Sequence, residues 1–191
     1  MIIKPDNEML SYSGRIDFDD RLAPVLVYAC SSIGMKFTGT SLKAVIVNHR
    51  SCWTNELGYF IDGEQKRFTL SSDEEKKTYT LAENLPEGTH ELLLFKRMDS
   101  CHTFTFYGFE IDDGAKVLAL PEKPKRKMEF FGDSVSCGEV SEAVEYAGKP
   151  DPEHDGQYSN SWYSYAWMTA RKLNAQIHDT SQGGISLLDD T

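Results

Sequence analysis

Short runs of β-branched and aromatic residues alternate with turn residues through the first 120 positions of the chain. Asp62-Gly63 lies between two such runs and is a strong signal for a β-hairpin, and residues 84–88 mark another turn. About eight short strands at this spacing are typical of a β-sandwich or jelly roll. The predicted strands cover residues 25–29, 35–38, 42–48, 59–61, 65–70, 77–81, 90–97 and 103–111. One of them contains the apolar block at residues 92–95, which indicates a strand covered on both faces.

The pattern changes after residue 120. Residues 121–127 contain two prolines among basic side chains and predict a solvated linker. A short apolar run at residues 128–131 then predicts a buried strand, and residues 139–158 predict a long polar loop. The sequence therefore predicts two domains, a β-sandwich at residues 1–120 and an α/β unit at residues 128–191, joined by the linker.

A helix is predicted after the polar loop, because apolar residues recur there at helical spacing. Ser159, Asn160 or Ser161 can cap its amino end, and Asn174 suits its exit. The predicted buried stripe consists of Trp162, Tyr165, Ala166, Thr169, Ala170 and Leu173.

A second parallel strand is predicted at residues 175–179, followed by a glycine turn at Gly183 and Gly184. Strand, helix and strand in this order form a right-handed βαβ unit. About 65 residues are too few to cover both faces of a parallel sheet, and such sheets are normally buried on both faces. We therefore expect further polypeptide, or another copy of the chain, to complete the sheet.

A serine follows the first of these parallel strands. Gly132 permits a tight turn, and Ser134 then lies at the carboxyl end of the strand, where ligands and reacting groups gather in open α/β sheets. Backbone N–H groups around Ser134 can point at the oxyanion of an acyl-transfer intermediate. Ser134 is therefore the candidate nucleophile.

Charge limits the partners of the chain. The net charge is −10 and the isoelectric point is near 4.9, which disfavours nucleic acid and anionic membrane surfaces. No stretch approaches the roughly 18 apolar residues needed to span a bilayer. The first residues lack the features of a secretory signal, so a cytoplasmic location is expected.

Cysteine and histidine spacing predicts neither a disulfide framework nor a metal site. The cysteines (Cys30, Cys52, Cys101 and Cys137) are widely spaced, which favours reduced, buried thiols. The five histidines lack metal-binding spacing, so no metal and no cofactor are assigned.

Two motifs in the α/β unit are similar to those of a known family. Phe-Gly-Asp-Ser-Val-Ser-Cys-Gly at residues 131–138 resembles the first block of the SGNH (GDSL-type) hydrolases, and Ser-Gln-Gly-Gly-Ile at residues 181–185 resembles their glycine block. A jelly roll that opens with Tyr-Ser-Gly-Arg-Ile-Asp-Phe at residues 12–18 and precedes such a hydrolase domain resembles the family-two carbohydrate esterases. The resemblance implies a jelly-roll sandwich followed by an SGNH-hydrolase (flavodoxin-like) domain that is incomplete here.

The resemblance also implies roles for individual residues. Ser134 is the nucleophile and contributes its N–H to the oxyanion hole, and Gly184 supplies a second N–H, with Gly183 as the neighbouring candidate. Trp162 or Tyr163 is a candidate for stacking on a sugar ring. The alternative for Trp162 is packing in the core, where it begins the apolar stripe.

Some groups that the resemblance implies do not occur after Gly184. These are a Gly-x-Asn-Asp block, which supplies an oxyanion asparagine, and a late histidine that is the general base. A serine hydroxyl is a poor nucleophile without a base. We therefore expect a further segment or chain to supply both groups, and expect this chain on its own to be inactive or nearly so.

Each histidine in the chain has a structural interpretation. His154 matches the family's Asp-x-x-His spacing with Asp151, but it lies in a proline-rich loop soon after Ser134. His178 falls within the second parallel strand, where a structural or surface role is expected. His49, His90 and His102 lie in the β-domain, and we expect them to be surface or strand residues.

The resemblance implies a serine carbohydrate esterase that removes O-acetyl groups from acetylated hemicellulose oligosaccharides, such as those of xylan and glucomannan, through an acetyl-enzyme. One alternative is an SGNH hydrolase that acts on another acyl ester or thioester. The acidic composition and the absence of an amphipathic membrane-facing stretch count against a lipid substrate. Another alternative is a carbohydrate-binding β-sandwich joined to a non-catalytic remnant.

Overall fold

The structure is a computed structural model that describes residues 1–150 and 152–186. Its first part is a β-sandwich of two antiparallel sheets, as the strand pattern predicted. The strands of the sandwich are β1 (Ile2–Ile3), β2 (Ser11–Ser13), β3 (Ile16–Asp17), β4 (Val25–Leu26), β5 (Ser32–Thr38), β6 (Leu42–His49), β7 (Glu56–Ile61), β8 (Glu64–Thr69), β9 (Lys77–Ala82), β10 (Thr89–Lys96), β11 (Thr103–Ile111) and β12 (Val117–Leu118).

Each sheet of the sandwich has six strands. One has the order β3-β4-β11-β6-β9, with β1 added on β11, and the other has the order β12-β5-β10-β7-β8, with β2 added on β5. The eight predicted strands correspond to β4–β11. The sequence pattern missed β1, β2, β3 and β12, because two or three residues are too few to show a period of two.

Local sequence explains the hairpin between β7 and β8. Asp62 and Gly63 both have positive φ, 53° and 85°, which a two-residue hairpin turn of the primed type requires. On β6, Leu42, Ala44 and Ile46 point into the sandwich and are fully buried. The predicted hairpin and the predicted strand at residues 42–48 are therefore confirmed.

The second part of the chain is the predicted βαβ unit. Its elements are β13 (Arg126–Gly132), a single helical turn α1 (Ser134–Cys137), the helix α2 (Tyr165–Lys172) and β14 (Ala175–Ser181). Strands β13 and β14 are parallel, with Arg126 opposite Ala175 and Gly132 opposite Ser181. The carboxyl ends of the two strands therefore lie side by side.

The helix begins later than the sequence predicted. Asn160 caps a separate 3₁₀ turn, Ser161–Tyr163, through a hydrogen bond from Trp162 N. Ser164 then caps α2, because its Oγ accepts from Trp167 N at 3.1 Å. Because the helix starts at Tyr165, its buried face differs from the predicted stripe and consists of Ala166, Trp167 and Ala170. No helix among the described residues has the length and apolarity required to cross a membrane.

The βαβ unit shares a core with the sandwich. Phe95 of β10 packs on the side of its sheet opposite Leu92 and Leu94, which are buried in the sandwich core. The apolar block at residues 92–95 therefore belongs to a strand covered on both faces, as predicted. The shared core contains Ala29, Cys30 and Phe95 from the sandwich and Cys137, Ala166, Trp167, Ala170 and Ile177 from the βαβ unit.

Strand β13 is not buried as the sequence predicted. Phe130 packs against the shared core, but Phe131 faces the other way and is 63% exposed. Among the described residues β13 has one neighbour, β14, and only one face of this pair is covered. The error arose because an apolar run does not show whether one face of a strand or both are covered.

Candidate active site

Ser134 lies at the first position of α1, directly after β13. Asp133 Oδ1 accepts the N–H of Val135 at 3.0 Å and caps the turn. At its other end, Gly138 adopts a left-handed φ of 77° and donates to the Ser134 and Val135 carbonyls. Asp133 therefore holds the turn.

Position 132 has room only for a glycine. A Cβ at this position would lie 2.0 Å from Ser136 Oγ and 2.8 Å from Ser136 Cβ, so any larger residue would collide with the turn that carries Ser134. Ser136 Oγ is also 2.8 Å from the Tyr165 hydroxyl, which ties the turn to α2. The sequence reasoning placed Tyr165 in the helix core and missed this contact, because no local pattern links residues 29 positions apart.

The glycine block lies beside the serine turn. Gln182 donates its N–H to the carbonyl of Gly132 at 3.2 Å, continuing the parallel pairing of β13 and β14 by one residue. The structure therefore brings together the serine turn and the glycine block at one edge of the sheet. This is where the sequence predicted them, because the carboxyl ends of parallel strands meet at one edge.

The two candidate glycines differ in their contacts. Gly183 donates its N–H to Asp99 Oδ2 at 2.7 Å, so this N–H is already occupied. Gly184 has a left-handed φ of 76°, and a Cβ there would meet no atom of the described residues within 4 Å. Of the two, Gly184 is the one whose surroundings leave room for a ligand.

Cys137 is a packed thiol. Its Sγ is 3.0 Å from Ser181 Oγ, and burial raises the pKa of Cys137 to about 12. Cys30 is fully buried, and burial together with the neighbouring Asp179 raises its pKa well above the usual value. Neither thiol has the thiolate character of a nucleophile at neutral pH.

Trp162 lies in an aromatic cluster between the sandwich and α2. Its ring centroid is 4.5 Å from that of Phe60 and 4.9 Å from that of Trp167, and the Arg171 guanidinium lies 3.6 Å from its centroid. This geometry favours core packing, the alternative weighed against sugar stacking. Tyr163 donates its hydroxyl hydrogen bond to Gln65 Oε1 of β8 at 2.8 Å.

The same aromatic cluster borders a cavity of about 610 Å³. The cavity is also lined by Ala175, Gln176 and Ile177, which begin β14, whereas the serine turn follows the other end of the strand pair. Seven residues of strand span about 20 Å. Trp162 therefore lies toward the end of the sheet away from Ser134.

The histidines have structural or surface positions. His102 is buried, with Trp53 N donating to its Nε2 at 3.1 Å and Asp99 Oδ1 lying 3.4 Å from its Nδ1. His90 is buried beside Asp62, and His178 is exposed on β14. His154 packs its ring edge-on against Trp53, while Asp151 lies outside the described residues.

Within residues 1–150 and 152–186, no histidine is hydrogen-bonded to Ser134, and no group of three metal-ligating side chains comes together.

Comparison with known proteins identifies relatives over the whole chain. A family model described as "Carbohydrate esterase 2 N-terminal" matches residues 12–121. The "Cellulase/esterase CelE" of Acetivibrio thermocellus is 33% identical over 183 residues, which is 95% of this chain and 21% of that protein. The "Acetylxylan esterase / glucomannan deacetylase" of Cellvibrio japonicus is 26% identical over 165 residues, 83% of this chain and 44% of that protein.

A solved structure has the same fold. The chain matches a family two carbohydrate esterase from Clostridium thermocellum, determined in complex with cellohexaose, with a TM-score of 0.81 and 32% identity. The match covers 93% of this chain and 52% of that one. The chain thus spans about half the length of this relative, and less than half of each of the two curated relatives.

Proposed function

Because the chain belongs to the family-two carbohydrate esterases, we propose that Ser134 is the nucleophile of a serine esterase that removes O-acetyl groups from acetylated hemicellulose oligosaccharides. The observation that carries this proposal is the position of Ser134 on a capped turn beside the glycine block. The relative named as an acetylxylan esterase and glucomannan deacetylase supports the substrate class.

The proposed reaction is acyl transfer in two steps. Ser134 Oγ attacks the acetyl carbonyl carbon, and the N–H groups of Ser134 and Gly184 stabilise the resulting oxyanion. The general base takes the proton of the Ser134 hydroxyl and passes it to the sugar oxygen, which leaves as an alcohol, while the acetyl group stays on Oγ. Water then attacks the acetyl-enzyme, releases acetate and restores the hydroxyl. Loss of one such N–H donor typically lowers turnover by about 10²–10³-fold.

The general base and the oxyanion asparagine are proposed to come from polypeptide outside the described residues. The exposed Phe131 and Val135 support this proposal, because they leave an apolar face beside Ser134 uncovered. The greater length of the relatives supports it as well.

Replacement of the nucleophile tests the function. In the complete protein, Ser134→Ala is expected to lower acetate release from acetylated xylan or glucomannan oligosaccharides by at least about 10⁴-fold, because the acetyl-enzyme cannot form. The matched control is Ser136→Ala, which removes a hydroxyl two residues away that bonds to Tyr165. Unchanged acetate release by the Ser134→Ala protein would exclude this role.

The acyl specificity needs its own measurement. Rates on acetyl esters and on long-chain acyl esters of the same alcohol separate a deacetylase from an SGNH hydrolase of another class. A preference for acetyl by about 10²-fold or more is expected, and a higher kcat/KM for the long chain would contradict the assignment.

A further inference from the structure

A turn of the β-sandwich contacts the glycine block of the βαβ unit. The turn connects β10 and β11 and comprises residues 97–102. Asp99 Oδ2 accepts the N–H of Gly183 at 2.7 Å, and Ser100 Oγ donates to Gln182 Oε1 at 2.7 Å. Two consecutive residues of the sandwich thus bind two consecutive residues of the glycine block.

The buried ammonium group of Lys96 holds the backbone of this turn. Lys96 has 0% exposure, and its ammonium donates to the carbonyls of Met98 (2.7 Å) and Asp99. Burial lowers the pKa of Lys96 to about 8, against the opposing effect of Asp99, so the ammonium remains mostly charged at neutral pH. A buried ammonium group without hydrogen-bond acceptors would strongly destabilise the folded state. The two carbonyls that it binds are therefore held in place, and with them the backbone of the turn.

The Asp99 carboxylate has several donors besides Gly183. Cys101 N donates at 3.1 Å, and His102 donates from Nδ1 because its Nε2 accepts from Trp53 N. Burial raises the pKa of Asp99, but the hydrogen bonds from His102 and Gly183 and the charge of Lys96 outweigh it and lower the pKa to about 2. The carboxylate therefore stays an ionised acceptor at neutral pH.

The space around Gly183 is also limited. A Cβ at this position would lie 3.0 Å from Asp99 Oδ2 and 2.9 Å from Glu139 Oε2. The glycine block is thus confined between the sandwich turn and the loop that follows α1. Such confinement matters at an oxyanion site, because a misplacement of about 1 Å can cost 10²-fold in rate.

We propose that Asp99 is a positioning residue of the esterase: by binding the Gly183 N–H it orients the next peptide, so that the N–H of Gly184 is directed at the oxyanion formed on Ser134. The inference rests on the proposed function. It assigns the β-sandwich a part in the reaction, since the acceptor that fixes the glycine turn is 84 residues away in the sequence.

Kinetics of the complete protein on an acetyl ester test the proposal. Asp99→Ala is expected to lower kcat by about 10- to 10²-fold with KM within about threefold, because the lost interaction acts on the transition state and not on substrate binding. Asp99→Asn is expected to recover part of the rate, because its amide oxygen can still accept the Gly183 N–H while its NH2 group faces the N–H donors of Cys101 and His102.

Asp112→Ala is the matched control. Asp112 also accepts backbone N–H groups, from Thr40 and Ser41. The hydrogen bond from the Ser41 hydroxyl, together with that from the Thr40 N–H, lowers the pKa of Asp112 to about 2. It follows β11, whose nine residues separate it by about 30 Å from the turn that holds Asp99. The control should leave kcat within about twofold of the unchanged protein.

Amide hydrogen exchange of Gly183 gives a readout independent of activity. Exchange at Gly183 is expected to be at least about tenfold faster in Asp99→Ala than in Asp112→Ala. Unchanged exchange together with unchanged kcat in Asp99→Ala would overturn the proposal. If Asp99→Ala does not fold, Ser100→Ala replaces it: a several-fold fall in kcat supports the positioning role, and an unchanged kcat contradicts it.

The two proposals fail in different ways. Full activity of Ser134→Ala refutes the esterase mechanism whatever Asp99 does. An inactive Ser134→Ala protein beside a fully active Asp99→Ala protein refutes only the positioning role.

Discussion

Asp179 shows how burial changes a single ionisable side chain at the boundary between the two parts. It has 0% exposure, its Oδ2 accepts from Cys30 Sγ at 3.4 Å, and its Oδ1 has no hydrogen-bond partner in the part of the chain that the structure describes. Burial raises the pKa of Asp179 from 3.8 to about 6, against the opposing effect of hydrogen bonds from Ser181 and Cys30. The folded protein therefore favours the neutral carboxyl group.

A pH dependence of stability follows from this raised pKa. The folded state binds the Asp179 proton more tightly than the unfolded state does. The stabilisation that this gives to the folded state is therefore complete below about pH 3.8 and is lost as the pH rises through about 6. Asp179→Asn removes the charge, so the variant is expected to gain on the order of 2 kcal/mol in free energy of unfolding at pH 7 and little at pH 4. Denaturant unfolding at the two pH values measures the difference.

Asp113→Asn is the control for this titration, since the Asp113 side chain is fully exposed and forms an ion pair with the amino terminus at the surface. If Asp179→Asn and the unchanged protein gave the same difference in unfolding free energy between pH 4 and pH 7, Asp179 would not be the titrating group.

At the scale of elements, the turn carrying Ser134 depends on the contact between Gly132 and Ser136. Gly132→Ala is expected to destabilise the protein by about 1–3 kcal/mol, because the new Cβ would lie 2.0 Å from Ser136 Oγ. Thermal or denaturant unfolding measures the loss, and acetate release should fall as the turn moves.

A double-mutant cycle isolates this collision. Ser136→Gly removes both atoms that the new Cβ would meet, so the double variant should be more stable than the sum of the two single changes predicts, by about 1 kcal/mol or more. Additive losses would show that Gly132 is required for another reason.

The helix shows how far local sequence determines an element. The presence of the helix and its exit at Asn174 agree with the prediction, and Asn174 has a positive φ of 48°. Of the predicted buried stripe, Tyr165 and Leu173 are exposed. The start was wrong because Ser164 caps a second helix start after the turn that Asn160 caps. Propensity alone does not choose between neighbouring caps, and the packing of Trp167 against Phe95 of the sandwich decided between them.

At the scale of the whole molecule, the sandwich and the βαβ unit are joined by more than the linker. Charged side chains cross the boundary as well: Arg97 donates to Glu142 Oε2 at 2.6 Å, and the Arg67 guanidinium lies 3.7 Å from the same oxygen. Together with the shared core, these contacts argue against the alternative in which the sandwich is a carbohydrate-binding domain independent of the βαβ unit. A protein truncated at Pro121 would expose Phe95 and Cys30.

Removal of Trp167 tests this joining. Its side chain is 6% exposed, and its ring centroid lies 5.3 Å from that of Phe95 and 4.9 Å from that of Trp162. Trp167→Ala is therefore expected to lower the free energy of unfolding by about 3–5 kcal/mol. Because the lost contacts lie at the boundary, the single unfolding transition expected of the unchanged protein should split, with the βαβ unit melting first. Calorimetry together with circular dichroism measures this.

Met168→Ala is the control on the same helix, because Met168 is half exposed and its loss should change stability by less than about 0.5 kcal/mol. A single transition in Trp167→Ala with stability near that of the control would show that the two parts do not depend on each other.

The sequence by itself determined the features that depend on residues close together in the chain. Runs of β-branched and aromatic residues predicted the strands, and Asp62-Gly63 predicted a hairpin. The order of strand, helix and strand predicted that Ser134 and the glycine block lie at one edge of the parallel sheet. Local backbone preference and the right-handed βαβ connection are sufficient for these.

Only the tertiary structure decided which parts of the chain meet. The exposure of Phe131, the packing of Trp162 and the bond from Gly183 to Asp99 all depend on how the sandwich and the βαβ unit lie against each other. No short-range pattern carries that information, because these contacts form between residues far apart in the sequence, and the shared apolar core sets their geometry.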